Sequence, residues 1–391
     1  MQTIKTAERV LKENYLPLLR NQLGVAPSAF LAKIKKVPAK SDKITAGFPA
    51  GLSGGFGFGE EGAATPFSGP VPLERFEERT KDMYVDIEIS AKSIELGGSA
   101  GSMANLLDTE VKGGYETGKW NLGRALFMNG TGKLTTISAL GTAGNTITVA
   151  STKYLKEGLI IDIYATGSET APVTGGAKRR IKSIDRANKT ITIDGDAQTF
   201  AAGFITVQNS YNREITGLGA IFDSSITTLY GLTKANHPYI LPVEIDGGGD
   251  IDDGTITRAL RQAKNDKNSA IDTMLCGDEA YDNYVNYLRV NNIRVEDMSH
   301  TIQGGFKAIK FLFGDKEVDI INESFVPDKE MWGVDSTVCK FHQTDWNYAT
   351  LQGGGIFNLM EGKSVYRALL TNYGNLLCEN PGGCVRIYNC A

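Results

Sequence analysis

The sequence predicts an α+β chain of more than one domain, and three stretches carry that reading. Residues 99–134 place Met103, Leu107, Val111, Tyr115, Leu122 and Leu126 mostly three or four positions apart, which lines one side of a long α-helix. Immediately upstream, residues 84–90 alternate apolar and polar side chains, as a strand with one buried face does. Downstream, residues 135–209 offer short strand-like runs at regular spacing, the pattern of a small barrel or sandwich. With 391 residues the chain also exceeds the ~250–300 at which a single core usually splits.

In chain order, the first element is a basic arm. Lys5, Arg9, Lys12, Arg20, Lys33, Lys35, Lys36, Lys40 and Lys43 face only Glu8, Glu13 and Asp42, although the whole chain carries −4. Such an arm can meet nucleic acid, an acidic protein or water. Ile4, Val10, Leu11, Tyr15, Leu18 and Leu19 suit a short amphipathic helix interrupted near Pro17, a charged stretch and not a signal peptide. Nothing in the chain approaches the ~18 consecutive apolar residues of a membrane span.

Residues 46–80 are rich in glycine and proline and too long for an ordinary connection, which marks a functional or disordered loop. Gly57, Gly59 and Gly62 match a dinucleotide-binding pattern, but no hydrophobic strand precedes them, no helix follows, and Glu60 and Glu61 would repel a pyrophosphate. The long helix has Gly97, Gly98 and Gly101 before it, Ser99 and Ser102 as candidate caps, and Asn129, Gly130, Thr131 and Gly132 to close it. Gly113, Gly114, Gly118 and Gly123 lie inside it at ~1 kcal/mol each against alanine, so packing must hold it, with close backbone contacts along its length.

Within 135–209 the expected strands are 146–149, 159–164, 179–184, 190–193 and 204–207, with residues 185–189 turning the third into the fourth. Beyond them, Thr255 can cap a helix through Ile256, Leu260 and Ala263. Residues 271–275 read as a buried strand, and Asp278 can cap a helix carrying Tyr281, Tyr284, Val285 and Leu288. Residues 308–313 and 316–321 form a hairpin, and residues 366–381 and 384–388 are strand-like.

A search for chemistry finds no catalytic constellation and predicts no cofactor and no metal. His237, His300 and His342 lack a ligand partner at helical spacing, and Cys378, Cys384 and Cys390 stand six apart, too far for a zinc motif. Five cysteines, an odd number, argue for free buried thiols. Asp246, Asp250, Asp252 and Asp253 among glycines are out of register with a calcium loop and read as a solvated acidic turn.

A strand ending in Asp86, Ile87, Glu88, Ile89 and Ser90, a turn of small residues, the long helix, then Leu126, Phe127, Met128, Asn129, Gly130, Thr131 and Gly132 resembles the major capsid proteins of tailed double-stranded DNA bacteriophages, with the Hong Kong 97-like fold. Residues 29–36 are similar to the arms of that family, and residues 366–381 and 384–388 to its last strands, which return beside the helix. The resemblance implies an N-terminal arm (1–45), an extended E-loop (46–89), a P-domain with the spine helix (90–134), an inserted β-rich domain (135–209), more P-domain (210–232), an A-domain (233–345) and C-terminal P-domain strands (346–391). It implies a non-enzymatic shell protein that assembles with itself into pentamers and hexamers in the host cytoplasm and resides in the virion. Its further partners would be portal, scaffolding protein, an optional decoration protein and non-specifically packaged double-stranded DNA. Residues 1–45 leave no room for a fused scaffolding domain, so a separate scaffold is expected. Glu60, Glu61, Glu74, Arg75, Glu77, Glu78 and Arg79 on the loop, with Lys33, Lys35 and Lys36 on the arm, are the expected intersubunit contacts. Two other readings stand beside this one: an encapsulin-type nanocompartment shell, and a β-rich enzyme or sugar-binding protein.

In some members of the family an E-loop lysine forms an isopeptide bond with an asparagine of a neighbouring subunit. No lysine lies between Lys43 and Lys81, and the guanidinium groups of Arg75 and Arg79 stay protonated and cannot serve as the nucleophile. Shells boiled in detergent and reductant should therefore run as one band near 42.2 kDa. A ladder of resistant multimers would refute this and point to Lys43 or Lys81.

Overall fold

The computed structural model describes residues 28–51, 55–62, 64, 67, 69–91, 100–249, 251–291, 299–301, 307–314, 316–350 and 355–390. The helix expected near Pro17, the arm residues Lys5 to Arg20, and Gly97, Gly98, Ser99 and Asp250 lie outside them. The chain divides into two compact units, one of them Gly123–Ala220.

The larger unit is built on two sheets. The first centres on the 14-residue strand Val365–Cys378. It pairs antiparallel with Lys81–Ser90, from Ser90 opposite Val365 to Lys81 opposite Gly374. It also pairs with Cys339–Gln343, Asn347–Tyr348 and Asn358–Leu359, and Lys35–Pro38 joins Cys339–Gln343 in parallel. Alternation explains the long ribbon: Val85 and Ile87 are buried while Tyr84, Asp86 and Glu88 face out. The helix Ala100–Phe127 buries Val111 and Tyr115 on one side. A Cβ on Gly114 would sit 3.3 Å from Val85 Cγ1, so helix and strand are in close contact there, whereas Gly113 has nothing within 4 Å. The close approach expected of the helical glycines thus holds at Gly114 and not at Gly113.

The second sheet runs Val243–Asp246, Val385–Tyr388, Met331–Val334, Thr273–Cys276, Lys316–Asn322, Lys307–Phe313, Ser299–Thr301. The helices Asp253–Lys267 and Asp278–Val290 bury Ile256, Leu260 and Ala263, and Ala280, Tyr284 and Leu288, in its core. Three expectations need correction. Asp252, not Thr255, caps the first helix: its Oδ1 accepts from Thr255 N at 2.7 Å. Gly277, not Asp278, occupies the cap position of the second, where a Cβ would come within 2.0 Å of Pro327 O. Val385–Tyr388, expected beside the long helix, lies instead between Val243–Asp246 and Met331–Val334.

The unit Gly123–Ala220 contains a six-stranded antiparallel sheet ordered Lys133–Ile137, Gly203–Val207, Ile160–Ala165, Arg179–Asp185, Thr190–Ile193, Thr146–Thr148. Its ends meet: Ile137 bridges Val149, Ser138 N donates to Thr148 O at 3.2 Å, and Ala150 N donates to Thr136 O at 3.0 Å. The sheet therefore closes on itself as a barrel, with Ile147, Ile161, Ile163, Ile181, Ile191, Ile193 and Ile205 buried. Asn188 N bonds Asp185 Oδ1 at 3.0 Å and Lys189 adopts positive φ, which makes the turn at 185–189. Lys133–Ile137, Leu140–Gly144 and Gln198–Phe200 are strands the sequence pattern did not single out, and a boundary at residue 135 cuts the first of them.

Within the same unit, Arg124 forms a two-pronged ion pair with Glu214, Nη1 to Oε2 at 3.0 Å and Nη2 to Oε1 at 2.5 Å, with both side chains buried. Gly132 is required nearby, since its φ is +75° and a Cβ would meet Ser210 O at 2.6 Å. Replacing one partner, as in Glu214→Gln, strands a buried guanidinium and should cost about 3–5 kcal/mol. Replacing both, as in Arg124→Met with Glu214→Leu, should recover most of that loss. Equilibrium denaturation of the full chain measures both; equal losses in the two variants would contradict the argument.

Candidate intersubunit surface

The loop expected to reach a neighbour begins and ends in a hairpin, Lys43–Pro49 against Leu73–Arg79, with Lys43 opposite Arg79 and Pro49 opposite Leu73. Its base is fixed by aromatic packing. Phe76 is fully buried, stacks on Phe48 at 4.1 Å and 9°, and meets the edge of Tyr230 at 5.4 Å. Tyr230 and Gly231 both take positive φ in the two-residue turn between Thr228–Leu229 and Leu232–Thr233, as a type I′ hairpin requires. That turn aims Tyr230 O at Glu77 N (3.0 Å) and its hydroxyl at Cys378 N (3.2 Å), so one residue ties hairpin to sheet.

The charged residues on this base divide into two kinds. Glu77 pairs with Lys43 across the hairpin and with Arg75 Nε at 3.2 Å on its own strand, and the Lys43 hydrogen bond is the main cause of its lowered pKa. Glu78 Oε1 accepts from Asn375 Nδ2 at 3.3 Å, and Arg79 O accepts from the same amide at 2.8 Å. Glu74 is half-buried, and it helps raise the pKa of Tyr239, second to burial. Arg79 presents an exposed side chain.

Between the two strands Glu60 and Glu61 are exposed, with Gly62 at φ +82° supplying the turn. Phe56, Phe58 and Phe67 lie on this same loop at 82%, 95% and 87% exposure, Phe56 and Phe58 touching edge to face at 5.3 Å. Sequence reasoning passed over these rings. The available signal was three phenylalanines in a stretch with almost nothing else apolar to bury them.

The arm residues end or follow a short helix. Residues Ala29–Lys33 form this helix with Phe30 and Leu31 fully buried, capped by Ser28, whose Oγ accepts from Leu31 N at 3.1 Å. Lys33 Nζ pairs with Asp319 Oδ2 at 2.8 Å and Asp272 Oδ2 at 3.4 Å, so its charge is neutralised within the chain. Lys35 is exposed opposite Lys340, and Lys36 is half-buried with its pKa lowered by that burial. At the other end of the helix the carboxyl group of Glu323 accepts from Ala29 N and the Ser28 hydroxyl.

Among the described residues no group of three His, Cys, Asp or Glu could hold a metal ion. No described helix is long and apolar enough to cross a membrane. The acidic turn has structural duties: Asp246 Oδ1 accepts from Gly248 N at 2.9 Å, Asp252 caps a helix, and Asp253 Oδ1 accepts from the Tyr284 hydroxyl at 3.1 Å. His237 Nδ1 lies 2.9 Å from Thr233 O, and burial followed by Lys340 lowers the pKa of His342.

No protein-family model matches the sequence, and no curated protein matches it. Solved structures match in fold. A chain of the cyanophage A-1(L) capsid asymmetric unit is similar over 96% of this chain and 92% of that one, with a TM-score of 0.54 at 10% identity. The capsid of a native GTA particle gives 0.48 at 10% identity over 93% and 90%. An encapsulin complex from Synechococcus elongatus gives 0.45 at 9% identity over 93% and 88%. The likeness to the cyanophage chain shows the fold: this chain has the α+β capsid fold.

Glu323 links the arm to pH. Burial is the main cause that raises its pKa to about 8, with Asp278 adding to the rise, against hydrogen bonds from Ala29, Phe325 and Ser28 that lower it. A carboxyl group raised above its unfolded value of ~4.3 stabilises the fold fully below that value, and the contribution disappears as pH rises through the folded pKa. Stability should therefore fall between about pH 5 and pH 8. Glu323→Gln should flatten that slope when denaturation midpoints are measured across this range; an unchanged slope would assign it to other groups.

Proposed function

We propose that this chain is a major capsid protein that assembles with itself into a closed icosahedral shell around the double-stranded DNA of a tailed phage. The observation that carries the reading is the near full-length likeness in fold to a capsid chain. Fold alone does not fix function, and the exposed aromatic loop on an anchored hairpin adds support from this chain's own residues.

In this reading residues 46–89 are the E-loop, 100–127 the spine, 135–209 an inserted domain within the barrel unit, and 233–345 the A-domain. The six-stranded sheet around Val365–Cys378 belongs with the spine. Portal, separate scaffold and packaged DNA are its partners, the virion its location, and the chain is not an enzyme. The intersubunit contacts rest on the loop, Glu60 and Glu61 together with the three phenylalanines, and on Lys35 and Arg79. Lys33 and Glu77 serve the chain's own fold first, so reversing Glu77 would disturb the hairpin as well as any neighbour.

Electron microscopy of the purified protein, with and without co-expressed scaffold, tests the assignment: closed shells support it and monomers in both preparations oppose it. Replacing Phe56, Phe58 and Phe67 together by serine removes rings that contribute little to the subunit's own core. The variant should keep the wild-type thermal melt while losing most of its shells, measured by sedimentation. Shells at wild-type yield would show that the loop does not join subunits.

A further inference from the structure

Three thiols meet where the two sheets of the larger unit approach each other. Cys339 stands opposite Cys378 in the antiparallel ladder. Glu379 N donates to Val338 O at 3.0 Å, which makes the neighbouring pair the hydrogen-bonded one. Cys339 and Cys378 are thus a non-hydrogen-bonded pair, the kind whose side chains lie closest. From the other side Cys384 brings its Sγ to 3.9 Å from Cys378 Sγ. All three are free and buried.

The chain between Cys378 and Cys384 is fixed. Pro381–Gly383 forms a single 3-10 turn, Asn380 Oδ1 accepts from Gly383 N at 3.1 Å, and a Cβ on Gly382 would meet Tyr239 O at 1.9 Å. The two sulphurs are thus held together by the backbone, and a disulfide at ~2.05 Å requires only a small approach. Side-chain hydrogen bonds with Cys339 and Cys384 favour ionisation at Cys378, while Cys339 and Cys384 are pushed up by their bonds to Cys378 and by burial. The thiolate is the reactive form.

We infer that Cys378 and Cys384 are a built-in oxidation site, closing to a disulfide that fastens the end of Val365–Cys378 to the start of Val385–Tyr388. Cys378 is 0% and Cys384 1% exposed, so the oxidant must be small, and hydrogen peroxide meets that requirement. The Cys378 thiol attacks one peroxide oxygen, the O–O bond breaks, and the products are the sulfenic acid and one water. The Cys384 thiol then attacks the Cys378 sulphur, the S–O bond breaks, the S–S bond forms, and a second water leaves. Two electrons pass to the peroxide, and the two thiol hydrogens leave in the waters. The rate is set by transient opening of the turn, because the sulphurs are closed to solvent in the folded state.

Folded full-length protein treated with hydrogen peroxide, then denatured and titrated for thiols, should fall from five to three. Peptide mapping without reductant should recover Cys378 joined to Cys384, and the oxidised protein should melt at higher temperature until reductant is added. Cys339→Ala should still lose two thiols, whereas Cys384→Ala should keep all four of its own. Five thiols remaining after treatment, sulfinic or sulfonic acid at Cys378 in place of a disulfide, or a link between any other pair would overturn the assignment. The wild-type map decides the matter even if a variant fails to fold.

Discussion

The register of Val365–Cys378 is the constraint on which the larger unit depends. This strand faces Lys81–Ser90 along ten positions and ends among the thiols that adjoin the second sheet. A slip of one residue would turn every side chain to the wrong face. Two fully buried asparagines oppose such a slip. Asn375 Nδ2 donates to Arg79 O at 2.8 Å, and Asn372 Nδ2 donates to Thr344 O. A buried amide left without partners costs about 1–3 kcal/mol, so any other register would be penalised twice beyond its lost apolar packing. The same Asn375 bond holds the foot of the hairpin, so the position of the loop follows from the register of the sheet.

What the sequence revealed follows from the range over which its signals act. The long helix, the ribbon strand at 84–90 and the hairpin at 308–321 are periodic over many residues, and each was legible. The cap at Asp252 was not: Asp252, Asp253 and Thr255 all have capping side chains, and only the extended backbone of Asp252, with φ −132° and ψ 167°, decides between them. Val385–Tyr388 reads as a strand, but its alternation is the same whichever sheet receives it. The strands at 133–137 and 140–144 were obscured by threonine and glycine, and a strand is recognised there only by what it pairs with.

The candidate surface was legible by residue type and not by partner. Lys33 and Glu77 looked available because a sequence shows charge without its neighbours. The fold places Asp319 and Asp272 beside one, and Lys43 and Arg75 beside the other. Arg386 is a further case, with Glu330 at 2.5 Å and Glu244 at 3.3 Å. The Glu77 pairs are the more exposed of these, and pairs of that sort are individually weak and screened by salt, so they align strands more than they stabilise them.

The apolar loop reverses that logic. Burying a phenylalanine side chain is worth about 1.5–3 kcal/mol, and in the isolated chain Phe56, Phe58 and Phe67 realise almost none of it. Leu73 and the three rings flank a hairpin whose other end is locked by Phe76 and Tyr230, so the loop is tethered to a fixed base. In a closed symmetric assembly each subunit would both present and receive such a loop, and a modest gain per contact would be multiplied by every copy. Shells need that balance: contacts strong enough to join many identical chains, and each weak enough alone that misplaced subunits can leave. An anchored base with an apolar tip separates the two requirements, because the subunit folds on one set of aromatic residues and would assemble on another.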